Sequence, residues 1–346
     1  MTHDLPGLPR KSVDGWLRDA LADTVSAGDW QAALISGGLS NITYRITVAG
    51  ANFILRRPPL GHTLPRAHDV AREFRVLDAL WPTPVPVPEP IALCTDPEVI
   101  GAPFYLMREV PGEVLRHCED TATLSAQARG EISQALVEAL AALHAVDPDS
   151  VGLGDFGRRH GYPARQLRTW GEQWHRSRTR ELPDMDRLLA KLQARLPADS
   201  ESTITHGDFR LDNAIIDLTT APRVAAILDW ELSTLGEPLG DLGLTMTYWH
   251  DLGDEERAQI PVATGVTAHE GFPTSEEVAE RYARLTGRSL DALPFYVALA
   301  AMKLAVILEG IHSRYLAGTS VTDGYAGVGE GVPLLVARGL RQIQQA

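Results

Sequence analysis

The hydrophobic pattern changes its period about a third of the way along the chain, and this change limits the possible folds more than any other feature. Before residue 60, three segments alternate or cluster apolar and β-branched residues between Gly and Asn breaks: AALISGG, ITYRITVAG and NFILRRP. Such segments predict antiparallel strands joined by tight turns. From about residue 122 the apolar spacing becomes helical, most clearly in SQALVEALAALHAV. We therefore expect an α+β chain in which a small sheet precedes a helical part.

The remaining periodic segments complete this plan. Residues 12–26 and 67–81 have apolar residues at helical spacing, and PFYLMREV predicts another strand. Further helices are expected around 163–195, 275–287 and 292–317, and a short hairpin of AIID with AAILD interrupts them. The predicted division is residues 1–109 and 110–346, with a connector near Arg108–Gly112.

Charge and composition exclude several kinds of partner. The net charge of −13 argues against nonspecific nucleic-acid binding. The apolar run 292–308 contains Pro294 and Lys303, so it predicts a buried helix and no membrane span. Cys94 and Cys118 are two isolated thiols, and no apolar signal segment opens the chain. We therefore expect a cytoplasmic protein that binds neither nucleic acid nor membrane. The sequence leaves its oligomeric state undetermined.

Short acidic and amide side chains follow two apolar strand segments, in THGDFRLDNAIID and AAILDWE. Asp208 and Asn213 lie five residues apart on a loop that leads into a strand, and Asp229 ends the next strand. If these strands pair, oxygens of Asn213 and Asp229 can bind a hard cation such as Mg²⁺ beside a nucleotide. Asp208 can then accept a proton from a substrate hydroxyl, which fits phosphoryl transfer. Asp212 is expected to be a solvated turn residue.

The spacing His-x-Asp-x4-Asn followed by Ile-Leu-Asp-Trp-Glu resembles the catalytic loop and metal segment of the aminoglycoside phosphotransferase/choline kinase superfamily. The continuation LGEPLGDLG is similar to the kinase-like domain fused to some acyl-CoA dehydrogenases. The resemblance covers roughly residues 28 to 340. It implies a protein-kinase-like two-lobe fold, with a small β-rich nucleotide-binding lobe and a larger, mainly helical catalytic and substrate-binding lobe. It also implies ATP and Mg²⁺ as cofactors.

The resemblance assigns roles to the motif residues of the second lobe. Asp208 is implied as the catalytic base, and His206 as a support for its loop. Asn213 and Asp229 are implied as Mg²⁺ ligands. Asp241 is implied to hold the segment after the metal site.

The nucleotide-binding residues implied by the resemblance all fall within the first 110 residues. They are Gly37, Gly38, Ser40, Arg56, Glu73, Arg108, Glu109 and Val110. The first three lie in SGGLSN, where the family covers the phosphates; the next two form an ion pair, with Arg in place of the protein-kinase Lys. The last three resemble the hinge, whose backbone meets adenine. Gly207 replaces the Arg of the protein-kinase His-Arg-Asp motif, which argues against a protein substrate.

Each candidate also has a purely structural interpretation. Asp208 alone could serve as a turn or capping group. Arg56 and Glu73 could form a surface ion pair of little energetic value. Trp170 and Trp174, four residues apart, are typical of a packed helix stripe. SGGLSN could be an ordinary hairpin turn.

The charge distribution favours an anionic acceptor. Residues 158–195 contain ten basic and four acidic side chains, a net +6, so the rest of the chain carries −19. An enzyme for polycationic aminoglycosides would favour carboxylates there, whereas a basic segment suits a small anionic hydroxyl acceptor such as a hydroxyacyl-CoA. A solvated basic helix face is the structural alternative. Two other functions stay open: an aminoglycoside-type antibiotic kinase, and a nucleotide-binding pseudokinase.

Overall fold

The computed structural model describes residues 5–21, 30–35, 41–60, 69–261, 265–318 and 327–345. The chain divides into two compact units. The first contains residues 1–112 together with 225–231, and the second contains residues 113–224 and 232–346. The functional assignment of 1–109 and 110–346 stays a prediction, and the short segment 225–231, which carries Asp229, groups with the first unit.

The first unit contains a five-stranded antiparallel sheet. Its strands are β1 (Trp30–Ile35), β2 (Ile42–Val48), β3 (Ala51–Arg57), β4 (Pro90–Cys94) and β5 (Phe104–Arg108). The strand order is β1-β2-β3-β5-β4. The three strands predicted before residue 60 and the strand predicted in PFYLMREV are confirmed. The register places Arg56 of β3 opposite Tyr105 of β5, which brings the expected nucleotide-binding arginine to the middle of the sheet.

Three helices accompany this sheet: α1 (Arg10–Leu21), α2 (Val70–Leu80) and α3 (Pro97–Ile100). The predicted helices at 12–26 and 67–81 are thus confirmed within the described residues. Asp69 caps α2 by accepting a hydrogen bond from the Arg72 N–H at 3.0 Å. Glu73 therefore lies in the first turn of α2, and its side chain is buried.

The second unit is mainly helical. Its helices are α4 (Cys118–Ala122), α5 (Ala126–Ala145), α6 (Tyr162–Ser177), α7 (Pro183–Ala194), α8 (Pro238–Tyr248), α9 (Glu255–Ala258), α10 (Ser275–Thr286), α11 (Leu293–Leu316) and α12 (Gly331–Gln342). The long helices predicted from sequence are confirmed, whereas α8 and α12 were not predicted.

Short strands interrupt the helices between α7 and α8. They are β6 (Thr203–Thr205), β7 (Ala214–Asp217), β8 (Arg223–Ile227) and β9 (Thr234–Gly236). Short 3₁₀ helices occur in the same region at Leu211–Asn213 and Trp230–Leu232, and another occurs before α12 at Val328–Glu330. β7 pairs with β8, as the AIID and AAILD segments predicted. β6 pairs with β9, an antiparallel pairing that the sequence did not indicate.

Helix α11 is the most apolar long helix of the described chain. By length and composition it could cross a membrane, but 78% of its most apolar window is buried inside the protein. Glu309 of this helix is fully buried and accepts hydrogen bonds from the backbone N–H and hydroxyl of Thr179 and from Arg180. The buried helix expected at this position is confirmed.

Candidate functional site

Arg56 lies between two carboxylates in the first unit. Its Nε is 3.0 Å from Glu73 Oε2, and its Nη2 donates to Asp229 Oδ1 at 2.7 Å. The side chains of Arg56 and Glu73 are only 14% and 2% exposed. The expected pair therefore forms, and its interpretation as a surface ion pair is wrong. A pair shielded from water in this way is oriented more strongly than an exposed one.

Glu73 is held by neutral donors as well. Asn41 Nδ2 donates to Oε1 at 2.7 Å, and the Tyr105 hydroxyl donates to Oε2 at 3.0 Å. Burial raises the pKa of Glu73 to about 7, an effect that Arg56 opposes and Asp229 reinforces. Asn41 and Tyr105 both donate, so their hydrogen bonds favour the ionised carboxylate and fix it in place, and this in turn fixes Arg56.

Asp229 has an unusual backbone. Its φ is +64°, in the left-handed region that non-glycine residues seldom adopt, and such conformations cluster at functional sites. Two hydrogen bonds hold this segment. The Ile227 N–H donates to the Pro86 carbonyl at 2.8 Å, and Trp230 Nε1 donates to the Ile227 carbonyl at 3.0 Å. Arg56 occupies Oδ1, and within the described residues Oδ2 accepts no hydrogen bond. One carboxylate oxygen is thus available.

The three hinge residues differ in what their backbone can offer. The Arg108 N–H is bonded to the Glu89 carbonyl at 2.9 Å and the Glu109 N–H to the Asn52 carbonyl at 3.2 Å. Among the residues that the structure describes, the Val110 N–H has no such acceptor. Val110 is therefore the best-placed backbone donor of the three for an adenine ring. Gly37, Gly38 and Ser40 lie outside the described residues.

In the second unit, Asp241 of α8 holds the loop that follows β6. Its carboxylate accepts the His206 N–H at 2.6 Å and the Gly207 N–H at 2.7 Å, and His144 Nε2 lies 3.3 Å away. Although burial acts to raise the pKa of Asp241, the His144 contact and the loop amides hold it below its ordinary value. Asp241 was expected to hold the segment after the metal site, whereas its carboxylate in fact binds the loop just before Asp208.

Gly207 has a conformation that other residues could not share. Its φ is +83°, and a Cβ atom there would lie 2.5 Å from the backbone oxygen of Leu232. The close passage of Leu232 therefore accounts for glycine at this position, where protein kinases have arginine.

Asp208 follows Gly207 in the loop, and only one of its two carboxylate oxygens accepts hydrogen bonds from the described residues. Its Oδ2 accepts Asn213 Nδ2 at 2.9 Å and lies 3.2 Å from Arg210 Nε. The buried His206 ring supports the same residue, because its Nδ1 accepts the Asp208 N–H at 3.2 Å. In the described part of the chain, no hydrogen bond uses Asp208 Oδ1, and the side chain is 22% exposed. A free, partly exposed carboxylate oxygen is what proton transfer from a hydroxyl requires.

The predicted metal ligands belong to different units, Asn213 to the second and Asp229 to the first. Asn213 Nδ2 bonds the Asp208 backbone carbonyl at 2.8 Å as well as its side chain, which leaves the Asn213 Oδ1 without a donor among the described residues. Each residue thus offers one hard oxygen, the donor type that Mg²⁺ prefers. The described residues contain no cluster of three His, Cys, Asp or Glu. One oxygen does not fill the coordination shell of Mg²⁺, so either residue would need phosphate or water oxygens beside it to hold the ion.

Arg210 is a charged residue of this loop that the sequence interpretation missed. It forms ion pairs with Asp208 at 3.2 Å and Asp212 at 2.8 Å, and its guanidinium lies 4.6 Å from the Tyr248 ring centre. Asp212 is only 17% exposed, so the expectation of a solvated turn residue was wrong. The signal was present as a charge alternation at residues 208, 210 and 212, where a basic residue lies between two acidic ones that can pair with it.

The basic residues of 158–195 are largely engaged within the second unit. Arg180 binds buried Glu309 at 3.0 Å, and Arg165 donates to the backbone carbonyls of His160 and Arg158. Arg168 is exposed and has no partner among the described residues. The charge argument for an anionic acceptor therefore rests on the net charge of the segment and not on one positioned arginine.

The two tryptophans of α6 have different surroundings. Trp174 is 1% exposed and belongs to the core, as a packed stripe predicts. Trp170 is partly buried and donates to Gln166 Oε1 at 3.0 Å. The core interpretation thus holds fully for Trp174 only.

The family model described as phosphotransferase enzyme family (APH) matches residues 31–288. Acyl-CoA dehydrogenase family member 10 of Mus musculus is 35% identical over 316 residues, which cover 90% of this chain and 29% of the mouse protein. The chain therefore spans about a third of the length of this curated relative.

Solved structures agree with the sequence matches. A crystal structure of a "putative aminoglycoside phosphotransferase" from Ralstonia eutropha JMP134 has a TM-score of 0.84 and 34% identity, with 98% of this chain and 99% of that chain covered. A mutant of aminoglycoside phosphotransferase APH(4)-Ia in a ternary complex with ADP and hygromycin B has a TM-score of 0.60 and 14% identity, with coverage of 97% and 99%. The second likeness shows the fold alone. The kinase-like fold expected from the motifs is confirmed.

Proposed function

The chain belongs to the phosphotransferase enzyme family, and we propose that it transfers the γ-phosphoryl group of ATP to a hydroxyl of a small molecule. The free Oδ1 of Asp208 carries this proposal, because the loop around it is fixed at both backbone and side chain while that oxygen stays uncommitted. The ADP bound in the APH(4)-Ia complex supports an adenine nucleotide as donor.

The proposed reaction forms a bond between the acceptor oxygen and the γ-phosphorus and breaks the bond to ADP. Asp208 takes the hydroxyl proton as the new bond forms and later releases it to water. Arg56, fixed by Glu73, holds the phosphates through its guanidinium. A bound Mg²⁺ would neutralise phosphate charge, with oxygens from Asn213 and Asp229 as its protein ligands.

Replacement of Asp229 tests the metal assignment. Asp229→Ala should weaken Mg-ATP binding at least tenfold and metal-free ATP binding much less, because the carboxylate is proposed to meet the nucleotide only through the cation. Isothermal titration with and without Mg²⁺ measures both affinities. Asp14→Ala, which removes the ion-pair partner of Arg18 in the same unit, is the matched control and should change neither. Equal losses with and without metal would make Asp229 a partner of Arg56 only.

The proposed acceptor is a hydroxyacyl-CoA. The mouse relative is named an acyl-CoA dehydrogenase, and a phosphotransferase domain in the same polypeptide fits a hydroxyl carried on an acyl-CoA. The net charge of +6 on residues 158–195 supports an anionic acceptor.

A panel of acceptors tests this choice. The kcat/KM for a hydroxyacyl-CoA should exceed that for an aminoglycoside at least 100-fold, because a cationic acceptor meets no compensating cluster of carboxylates in the basic segment. ADP release is measured, with the corresponding acyl-CoA lacking the hydroxyl as the control that should give none. The name of the Ralstonia structure favours an aminoglycoside kinase as the second candidate function, and a preference for the aminoglycoside would establish it.

A further inference from the structure

Lys303 is a charged residue that the proposed reaction has not used. It lies in the apolar helix α11, and its Nζ donates to the Gly207 carbonyl at 2.7 Å. The ammonium is also 5.4 Å from the centre of the Trp170 ring, a distance that permits a cation–π contact. A lysine inside such an apolar helix is energetically unfavourable unless its charge is satisfied, so its presence at this position requires an explanation.

No carboxylate balances this lysine directly. Within the described residues none lies within 4.0 Å of Nζ, although Asp208 and Asp241 are near enough to act on its charge. Burial lowers the pKa of Lys303, and both carboxylates oppose that effect. The positive charge is therefore held beside the loop by a backbone carbonyl and an aromatic ring, and not by a salt bridge.

The contacts of Lys303 and Asp241 converge on one residue. Asp241 accepts the Gly207 N–H, and Lys303 donates to the Gly207 carbonyl, so both polar groups of the residue before Asp208 are fixed by charged side chains. The carbonyl belongs to the peptide bond that joins Gly207 to Asp208. Rotation of that peptide would move the Asp208 backbone and hence its free oxygen.

From this convergence we infer that Lys303 is a positioning residue, which fixes the Gly207–Asp208 peptide so that the Asp208 carboxylate is aimed at the acceptor hydroxyl. This role rests on the proposed function. The Lys303 ammonium is already committed to the Gly207 carbonyl at 2.7 Å, so the role inferred for it is to hold the loop and not to bind the acceptor. A small cavity of about 20 Å³ lies beside it, lined by Gly207, Trp170 and Asp241 among others.

Hydrogen exchange tests the contact without relying on activity. Lys303→Met keeps the length of the side chain and removes its donor and charge. Amides of the peptide covering residues 203–213 should exchange at least tenfold faster in this variant, while amides of α5 stay within twofold of wild type. Unchanged exchange in 203–213 would show that Lys303 does not fix the loop.

Kinetics test the positioning role itself. Lys303→Met should lower kcat at least tenfold and leave the dissociation constant for ATP within threefold of wild type, because a small misplacement of a reacting group is costly. Lys303→Arg, which restores the charge and whose larger head can use the adjacent cavity, should recover most of the lost kcat. Equal losses in the Met and Arg variants, with equal falls in melting temperature, would indicate a merely structural residue and overturn the inference. A wild-type protein inactive toward every acceptor would refute the proposed function, and the exchange measurement would still decide whether Lys303 fixes the loop.

Discussion

Asp208→Asn should lower turnover by about 10²–10⁴-fold, the range that loss of a general base produces. Asparagine has the same shape and still offers an oxygen to Asn213 Nδ2 and Arg210, so the loop should keep its conformation. The amide cannot accept the proton of the hydroxyl at neutral pH. The melting temperature and the ATP dissociation constant should therefore stay close to those of the wild type.

Asp212→Asn is the matched control for this prediction. It removes the other carboxylate paired with Arg210, four residues along the same loop, and should reduce turnover less than tenfold. Steady-state turnover and calorimetric ATP binding for both variants make the comparison. If Asp208→Asn retained turnover within threefold of the wild type, Asp208 would not be the base, and its hydrogen bonds would be structural only.

The backbone plan was predictable from the sequence because it depends on local periodicity. The first strands alternate apolar residues and are bounded by Gly and Asn, and α5 and α11 have long apolar stretches. α8 was missed because PLGDLGLTMTY contains two glycines and has little amphipathic contrast. α12, which begins GVPLL, was also missed, although its apolar residues Val332, Leu335, Val336 and Leu340 recur at helical spacing.

The site was predictable only where its residues are close in sequence. Asp208 and Asn213 share one loop, so their spacing predicted their proximity, and the bond between them is observed. The placement of Asp241 and Lys303 was not predictable, because they reach Gly207 from helices 34 and 96 residues further along the chain. Such contacts depend on how helices pack, and neither periodicity nor a motif specifies that packing.

Glu73 illustrates a related limit. The family resemblance implied an ion pair between Glu73 and Arg56, and the pair is present. Its burial could not be foreseen, because the hydrogen bonds that compensate it come from Asn41 and Tyr105, which are each 32 residues away. Charged residues are seldom buried without such partners, and the sequence alone does not reveal which residues provide the hydrogen bonds.

Asp241→Asn should destabilise the second unit by about 2–4 kcal/mol, because the substitution leaves buried donors without an acceptor. The wild-type carboxylate accepts the His206 and Gly207 N–H groups through separate oxygens. An amide has one oxygen, so its NH₂ group must face one of these two N–H groups, and two donors then meet in a site that is 1% exposed. The melting temperature should fall by roughly 5–15 °C for a domain of this size.

The same substitution should also reduce turnover at least tenfold below the unfolding transition, because the Gly207 peptide loses the bond on its N–H side. Asp199→Asn is the control: Asp199 also accepts a backbone N–H, from Gly161, but is 34% exposed, so water can replace the lost bond. That variant should melt within about 3 °C of the wild type, as surface substitutions usually do. Thermal unfolding followed by calorimetry compares the two. If Asp241→Asn melted no lower than Asp199→Asn, the loop before Asp208 would be held by its neighbours and not by Asp241.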